Sequence, residues 1–378
     1  MKTPLALLNL WHTRSRSAIA MAGVAFAAVL VLMQLGFLGA LESSANRVYD
    51  QLDFDLLISA RSYRIFSRAG MFPVERLAMA RSLPEIEQAS PFYIGLNAWL
   101  NEKGKPALRR GILVMSFRPG DHLFRMPGVL KHEHELAMRG RLLMDEASRP
   151  EFGERATKTE SEIGMTHVQI SGQYLLGSDF SADGSVITGD ETFFELFPWF
   201  PATSTSLGLL KLKPGVDPAE VAAKLQKLMP EDVLVRTRTQ ALLDEVFFWR
   251  TKTSVGTIFL LGVFIAALVG TGIVYQVMSS DVSNRLPEFA TLKAMGYTTN
   301  YLTMGVVGQA VVLAIGGFIP AAIIAWCLYE FTEHQAHLPM DLTPRIAGSV
   351  FLLSLSMCMI SAVLALRKVA TADPADLF

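Results

Sequence analysis

Ser279–Tyr301, reading SSDVSNRLPEFATLKAMGYTTNY, separates two long apolar runs, Thr253–Met278 and Leu302–Tyr329, and places Asp281, Arg285, Glu288 and Lys293 between them. Apolar runs of that length read as membrane spans, so the stretch is a short polar connection at one face of the membrane. Its interior predicts a small helix. Pro287 suits a first-turn position where no N–H is needed, Glu288 lies beside the positive end of the helix dipole, and Gly296 follows the last turn and stops it. Leu286, Phe289, Leu292 and Met295 recur every third residue and make one apolar stripe. A short amphipathic helix at the ends of two spans suits docking into another protein.

The chain is 51% hydrophobic and 18% charged, more apolar than a soluble domain, and the excess is concentrated in a few runs. Ser17–Leu41 carries no charge over about 25 residues, enough for a tilted crossing of a ~30 Å hydrocarbon core. The apolar region of a cleaved signal peptide is about 7–15 residues long, so this run predicts an uncleaved anchor. Ser254–Met278, Tyr301–Tyr329 and Ile346–Leu366 bring the spans to four. Before the first, Leu-rich Pro4–Trp11 ends in His12, Arg14 and Arg16 and predicts an interfacial helix within residues 1–16. Lys2, Arg14, Arg16, Arg285, Lys293, Arg367 and Lys368 fall on one side of the membrane. Of the short-loop basic residues only Arg345, in the loop 330–345, falls on the other. The first side is therefore cytoplasmic, with the connection 279–300 and the tail 367–378.

Residues 42–252, inserted between the spans 17–41 and 253–278, change character: charges are frequent, apolar runs short, and Gly and Pro recur. The reading is a multi-pass protein of the bacterial inner (cytoplasmic) membrane, with four transmembrane α-helices and a large α+β domain outside it, which in a Gram-negative cell is a periplasmic domain. Asp53–Ala60, Ile86–Leu100 and Gly111–Phe117 have strand-like content, and Val74–Ser82 follows Pro73 as a short helix. Leu207–Leu212, a helix opened by Asp217, Pro218 and Glu220 as a capping box, and Val233–Thr237 form a strand–helix–strand module. The irregular, charged region of about 120–183 is expected to be a separate subdomain.

Several patterns bear on function. Gly262, Ala266 and Gly270, spaced by four, let helix backbones approach closely, either between subunits or within one. No Asp, Glu, Lys, Arg or His lies deep within a span, where Gln34, Gln276 and Gln309 are the long polar side chains. Ion-coupled carriers need buried ionisable groups, so a proton-driven carrier is disfavoured. A G-x-x-x-x-G-K-[ST] loop is absent, which puts any ATP hydrolysis on a partner chain. His132, Glu133, His134 and Glu135 lack the H-E-x-x-H spacing and read as a solvated loop, not a metal site. No G-x-S-x-G elbow occurs, and Cys327 and Cys358 both sit in apolar runs, so neither hydrolase chemistry nor a disulfide framework is indicated. A net charge of −1 gives no reason to expect a nucleic-acid partner.

DVSNRLPEFATLKAMGY resembles the cytoplasmic coupling segment of the FtsX-like and MacB-like permeases, and most closely that of the DevC permeases of ABC exporters. The order of spans and loops and the C-terminal ADPADLF agree with that likeness. It implies a non-catalytic permease subunit, a homodimer with two copies of a separate ABC ATPase that binds the ATP, and no cofactor of its own. It further implies a periplasmic adaptor of the membrane-fusion type, a TolC-like outer-membrane channel, and mechanotransmission driving export of a lipid or other substrate. In that likeness Arg285, Leu286, Pro287, Glu288, Phe289, Leu292, Lys293, Met295 and Gly296 form the ATPase-coupling segment; Glu288 alternatively only caps a helix dipole. Two other functions stay open: an FtsX-like transmitter that activates a cell-wall hydrolase, and a membrane-anchored enzyme or sensor.

Overall fold

The computed structural model describes residues 14–101, 108–177, 182–284, 291, 295, 299–336 and 340–370. It divides into two compact units, Leu41–Thr253 on one hand and Met1–Ala40 with Ser254–Phe378 on the other. The expected interfacial helix Pro4–Trp11 and the tail ADPADLF lie outside the described residues.

The second of these units is helical. Among the described residues four helices are long and apolar enough to cross a membrane: α1 (Arg14–Gln51), α7 (Ser254–Asn284), α8 (Thr299–Ala336) and α9 (Pro344–Ala370). Each outruns its apolar stretch. A helix stops where its backbone is broken, not where its side chains turn polar, and no Gly or Pro intervenes between Met278 and Asn284 to end α7. Pro320 lies inside α8, which continues through it. Small side chains fill the bundle core, where Ala20 and Val24 of α1, Val274 and Met278 of α7, Ala310 and Ala314 of α8, and Cys358, Ala362 and Ala365 of α9 are buried together. Such residues let helix backbones approach closely where no hydrophobic force against lipid can drive association. Outward-facing Ile258, Leu261, Phe264, Ile265 and Leu268 of α7 are exposed, as side chains facing acyl chains should be.

The unit Leu41–Thr253 is built on a nine-stranded sheet in the order β11-β1-β10-β3-β4-β8-β5-β7-β6. Its strands are β1 (Leu56–Ala60), β3 (Ile86–Asn101), β4 (Leu108–Phe117), β5 (Arg141–Asp145), β6 (Glu160–Ile163), β7 (Thr166–Tyr174), β8 (Ser185–Gly189), β10 (Leu207–Leu212) and β11 (Val233–Thr237). A two-stranded ribbon of β2 (Phe72–Pro73) and β9 (Ser204–Thr205) lies beside it. β6 also pairs with β3 through Trp99↔Ile163 and Leu100↔Glu162, so the ladders from β3 round to β6 close on themselves and leave no free edge there. Period-two alternation sorts the side chains into cores on the two faces. Ile112 and Val114 of β4, Leu142 and Met144 of β5, and Ile170 of β7 enter one core. Leu113, Met115, Phe117 and Leu143 enter another, with Phe92 and Phe124.

At the other end of the sheet, α2 (Glu75–Arg81) and α5 (Pro218–Leu228) cover one face through Leu77, Ala80, Val221 and Leu225, packed on Leu56, Ile58 and Leu210. β10, α5 and β11 have the bounds expected of the strand–helix–strand module, but β1 lies between the two strands. Asp217 caps α5 by accepting from Ala219 N at 3.0 Å. The complete reciprocal capping box is at Thr237 and Gln240, which open α6 (Arg238–Thr251).

The region of about 120–183, expected to be a separate subdomain, is part of the same unit. It supplies β5, β6 and β7 to the common sheet, with α3 (Pro127–His132) beside them, and α4 (Asp190–Leu196) follows β8. Its charges are spread over strands as well as turns, with Arg141 and Asp145 in β5 and Glu160 and Glu162 in β6, while Leu123, Phe124, Met126, Val129 and Leu136 enter the shared core, so charge content misled where side-chain direction decides.

Candidate functional site

Of the nine residues in the sequence-derived coupling segment, Met295 is described: it is exposed, and its N–H donates to Thr291 O at 3.0 Å, a helical-turn bond. Arg285, Leu286, Pro287, Glu288, Phe289, Leu292, Lys293 and Gly296 lie outside the described residues. What the structure shows is how the connection is framed. α7 ends at Asn284 and α8 begins at Thr299. A side-chain bond joins the two helices close to these ends, with Gln309 Nε2 donating to Asp281 Oδ2 at 2.8 Å, both residues buried.

Sequence reasoning placed Asp281 in the polar connection. In the structure it belongs to the buried face of α7, because Val274, Met278, Asp281 and Val282 follow the i, i+4, i+7, i+8 spacing of one helix stripe. That spacing was the available signal. A buried carboxylate that accepts a side-chain N–H is directional where its apolar neighbours are not.

Gly262, Ala266 and Gly270 face other helices of the same chain. A Cβ added at Gly262 would lie 2.6 Å from Gln34 Cδ, and one at Gly270 would lie 2.5 Å from Ala27 Cβ and closer still to Met357. Ala266 is buried. Ser361 Oγ donates to Thr271 O at 3.0 Å, and Tyr329 Oη donates to Leu32 O, so hydrogen bonds as well as small residues fix the helix register.

Sequence reasoning missed a polar network in the outer domain. Glu245 of α6 is 1% exposed. Its Oε1 accepts from Phe66 N at 3.0 Å and from Trp249 Nε1 at 3.2 Å, and its Oε2 accepts from Tyr63 Oη at 2.5 Å. Tyr63 is bonded in turn to Tyr49 Oη, and Arg236 lies over the Tyr63 ring at 5.6 Å. Burial, reinforced by the neighbouring Tyr49 and the Glu245 charge, pushes the Tyr63 hydroxyl well above the ordinary tyrosine range. The signal was again periodic: Ala241, Glu245 and Trp249, spaced by four, are the buried residues of α6.

The His132–Glu135 stretch is a local clamp. His132 Nδ1 lies 2.9 Å from Glu135 Oε1. Buried Glu133 accepts from Gly120 N at 2.8 Å and lies 2.8 Å from His122 Nδ1. Among the described residues no group of three or more His, Cys, Asp or Glu side chains is placed to hold a metal ion. Cys327 is exposed and Cys358 buried, and neither is in a disulfide. Asp53 ties β1 to its surroundings through Arg125 at 2.7 Å and through Lys211. Burial alone would raise its pKa, but the hydrogen bonds and charges of those two cations outweigh it and hold the carboxyl below its usual value.

Residues 260–374 match the FtsX-like permease C-terminal family, a segment that contains the whole connection, most of α7 and all of α8. No curated protein matches the chain. Among solved structures, the chain is similar to the extracellular domain of the noncanonic ABC-type transporter YknZ from Gram-positive bacteria, at 8% identity and a TM-score of 0.37, covering 48% of this chain and 98% of that one. It is also similar to the periplasmic region of MacB from Actinobacillus actinomycetemcomitans, at 10% identity and a TM-score of 0.37, covering 50% of this chain and 91% of that one.

Proposed function

We propose that this chain is the permease subunit of an ABC-type exporter of the DevC and MacB-like kind. It works as a homodimer with two copies of a separate ATPase, and it moves a lipid or other substrate outward through a membrane-fusion-type adaptor and a TolC-like outer-membrane channel. The observation that carries this reading is the FtsX-like match over residues 260–374, which spans the polar connection with its apolar stripe Leu286, Phe289, Leu292 and Met295. The stripe gives the ATPase a surface to grip, while Glu288 and Lys293 supply charges for orientation. Because Asp281 and Gln309 bond α7 to α8 on either side of the connection, a displacement imposed there moves the two helices as a pair. The substrate then has no need to pass through this subunit.

The test compares Phe289→Asp with Glu288→Ala in full-length protein, after checking that both variants reach the membrane at normal levels. Phe289→Asp would bury an unpaired charge at the interface and should abolish co-purification of the ATPase together with export. Glu288→Ala leaves the stripe intact and should reduce export more than ATPase binding. Full ATPase binding and full export by Phe289→Asp would overturn the assignment of this helix as the docking element.

A further inference from the structure

We propose that the outer domain carries a binding site for the headgroup of an anionic phospholipid, in the cleft lined by Arg64, Ile65, Arg68, Phe248 and Lys252. The inference is independent of the coupling reading and survives if that reading fails.

The cleft has a volume of about 390 Å³ and is lined by residues of the unit Leu41–Thr253 alone. Its three cations are exposed, while Ile65 is buried and Phe248 half-buried, so charge surrounds an apolar floor. Neighbouring basic residues are neutralised: Arg61 pairs with Glu231 at 3.8 Å, Arg236 with Asp244 at 2.9 Å and Arg250 with Glu42 at 3.0 Å. Arg64, Arg68 and Lys252 have no carboxylate partner among the described residues. Three unneutralised cations beside one cleft, in a chain of net charge −1, are a local feature and not a property of the whole surface.

The site is also held in shape. Arg68 N donates to Ile65 O at 2.9 Å, closing a turn that ends at Arg68 and begins one residue after Arg64. Glu245 fixes that loop to α6 through Phe66 N and Tyr63 Oη, and α6 supplies Phe248, with Lys252 at its C-cap. Guanidinium groups presented this way favour phosphate oxygens, which they can grip with paired N–H groups, and Lys252 adds a point charge.

Chain connectivity supplies the source of the phosphate. Lys252 is two residues from Ser254, where the span α7 begins, and an extended chain covers at most about 3.6 Å per residue. The cleft therefore has a wall within about 7 Å of a membrane-crossing helix, where basic clusters meet anionic headgroups. A soluble phosphate would use the cations but not the apolar floor. A lipid would use both.

Full-length protein in detergent micelles is titrated with phosphatidylglycerol, and the affinity of its tightest-bound copy is read by native mass spectrometry. From the usual contribution of a basic residue near an anionic surface, neutralising one cation should weaken binding about fivefold, and Arg64→Gln/Arg68→Gln/Lys252→Gln about a hundredfold. Arg64→Lys/Arg68→Lys should keep most of the affinity, and Arg61→Gln should behave as wild type, since Arg61 is already paired. Phosphatidylcholine should not distinguish wild type from the triple variant, and inorganic phosphate at millimolar concentration should not displace the lipid. An unchanged thermal unfolding curve for the triple variant excludes misfolding, as its three side chains are exposed. Retention of phosphatidylglycerol binding by the triple variant would overturn the proposal, as would displacement of the lipid by inorganic phosphate, which would mark a free-anion site.

Discussion

Replacing Glu245 isolates what a single buried carboxylate does for the outer domain. In Glu245→Leu the three described donors aimed at the carboxylate lose it together. Tyr63 can turn its hydroxyl toward Tyr49 Oη, already within hydrogen-bond distance, but the Tyr49 hydroxyl that donates to Tyr63 then loses its acceptor, so one hydroxyl donor is orphaned either way. Phe66 N and Trp249 Nε1 have no other acceptor among their described bonds, and leaving a buried donor unsatisfied costs about 1–3 kcal/mol. Three orphaned donors therefore cost about 3–9 kcal/mol, less whatever the leucine gains by packing. For a domain of this size each kcal/mol moves the Tm by about 2–4 °C, so a loss of about 10–20 °C is expected.

Glu245→Gln should behave differently. Its carbonyl oxygen can still accept from Phe66 N and Trp249 Nε1, and its amide N–H can donate to Tyr63 Oη if the Tyr63 hydroxyl reverses toward Tyr49, which leaves the Tyr49 hydroxyl as the one donor without its acceptor. Two of the three bonds to the side chain are kept and a single hydroxyl donor is lost, at about 1–3 kcal/mol. Thermal unfolding of the full-length protein, followed by tryptophan fluorescence, separates the two, because Trp249 reports on the site itself. A Glu245→Leu variant within about 1 kcal/mol of wild type, or a Glu245→Gln variant as unstable as Glu245→Leu, would refute the account of Glu245 as the acceptor that joins the 61–69 loop to α6.

The tyrosines of the same domain give a pH dependence. Burial, and for Tyr174 the Asp145 charge after it, hold Tyr63 and Tyr174 protonated well above the ordinary value of 10.0. Their contribution to stability is thus complete below about pH 10 and is lost as pH rises from there through the folded-state pKa. Unfolding curves should weaken over that interval, and ultraviolet titration of the native protein should leave these two hydroxyls un-ionised near pH 10; ionisation at the ordinary value without unfolding would contradict the burial argument. In the membrane unit, Gly270→Ala drives a methyl against Ala27 Cβ, which is fixed to its backbone, whereas Gly272→Ala meets nothing within 4 Å. Gly270→Ala should destabilise the detergent-solubilised protein by about 1–3 kcal/mol and Gly272→Ala should be neutral, as read by thermal unfolding.

The parts of this structure legible in the sequence were those where one physical signal acted alone. Uncharged length announced the helices α1, α7, α8 and α9, and the β-branched and aromatic content of Ile86–Leu100 announced β3, because neither depends on a distant neighbour. What failed depended on direction. The charges of 120–183 suggested a detached region, yet alternate residues of β5 and β7 point into two cores that the composition of a window averages away. Asp281 was assigned to the polar connection and Glu245 overlooked for the same reason, since each is an acid in an apolar stripe and only its position modulo the helical turn shows that it faces inward.

Those inward acids sit among contacts of another kind. In the membrane unit the packing of Ala310, Ala314, Ala362 and Ala365 against small neighbours is close but almost featureless, and methyl surfaces of this sort can slide past one another by a fraction of a turn at little cost. Hydrogen bonds cannot slide, because they weaken steeply with angle and distance. α8 carries such a bond near each end, Gln309 to Asp281 of α7 and Tyr329 to Leu32 of α1, and Ser361 of α9 bonds to Thr271 of α7. Every helix of the bundle is therefore held in register by at least one directional contact. A push delivered between α7 and α8 meets a bundle whose apolar seams are compliant and whose polar bonds are not, so it shifts the helices together before it shears them apart, which is the mechanical property that a transmitter of the proposed kind requires.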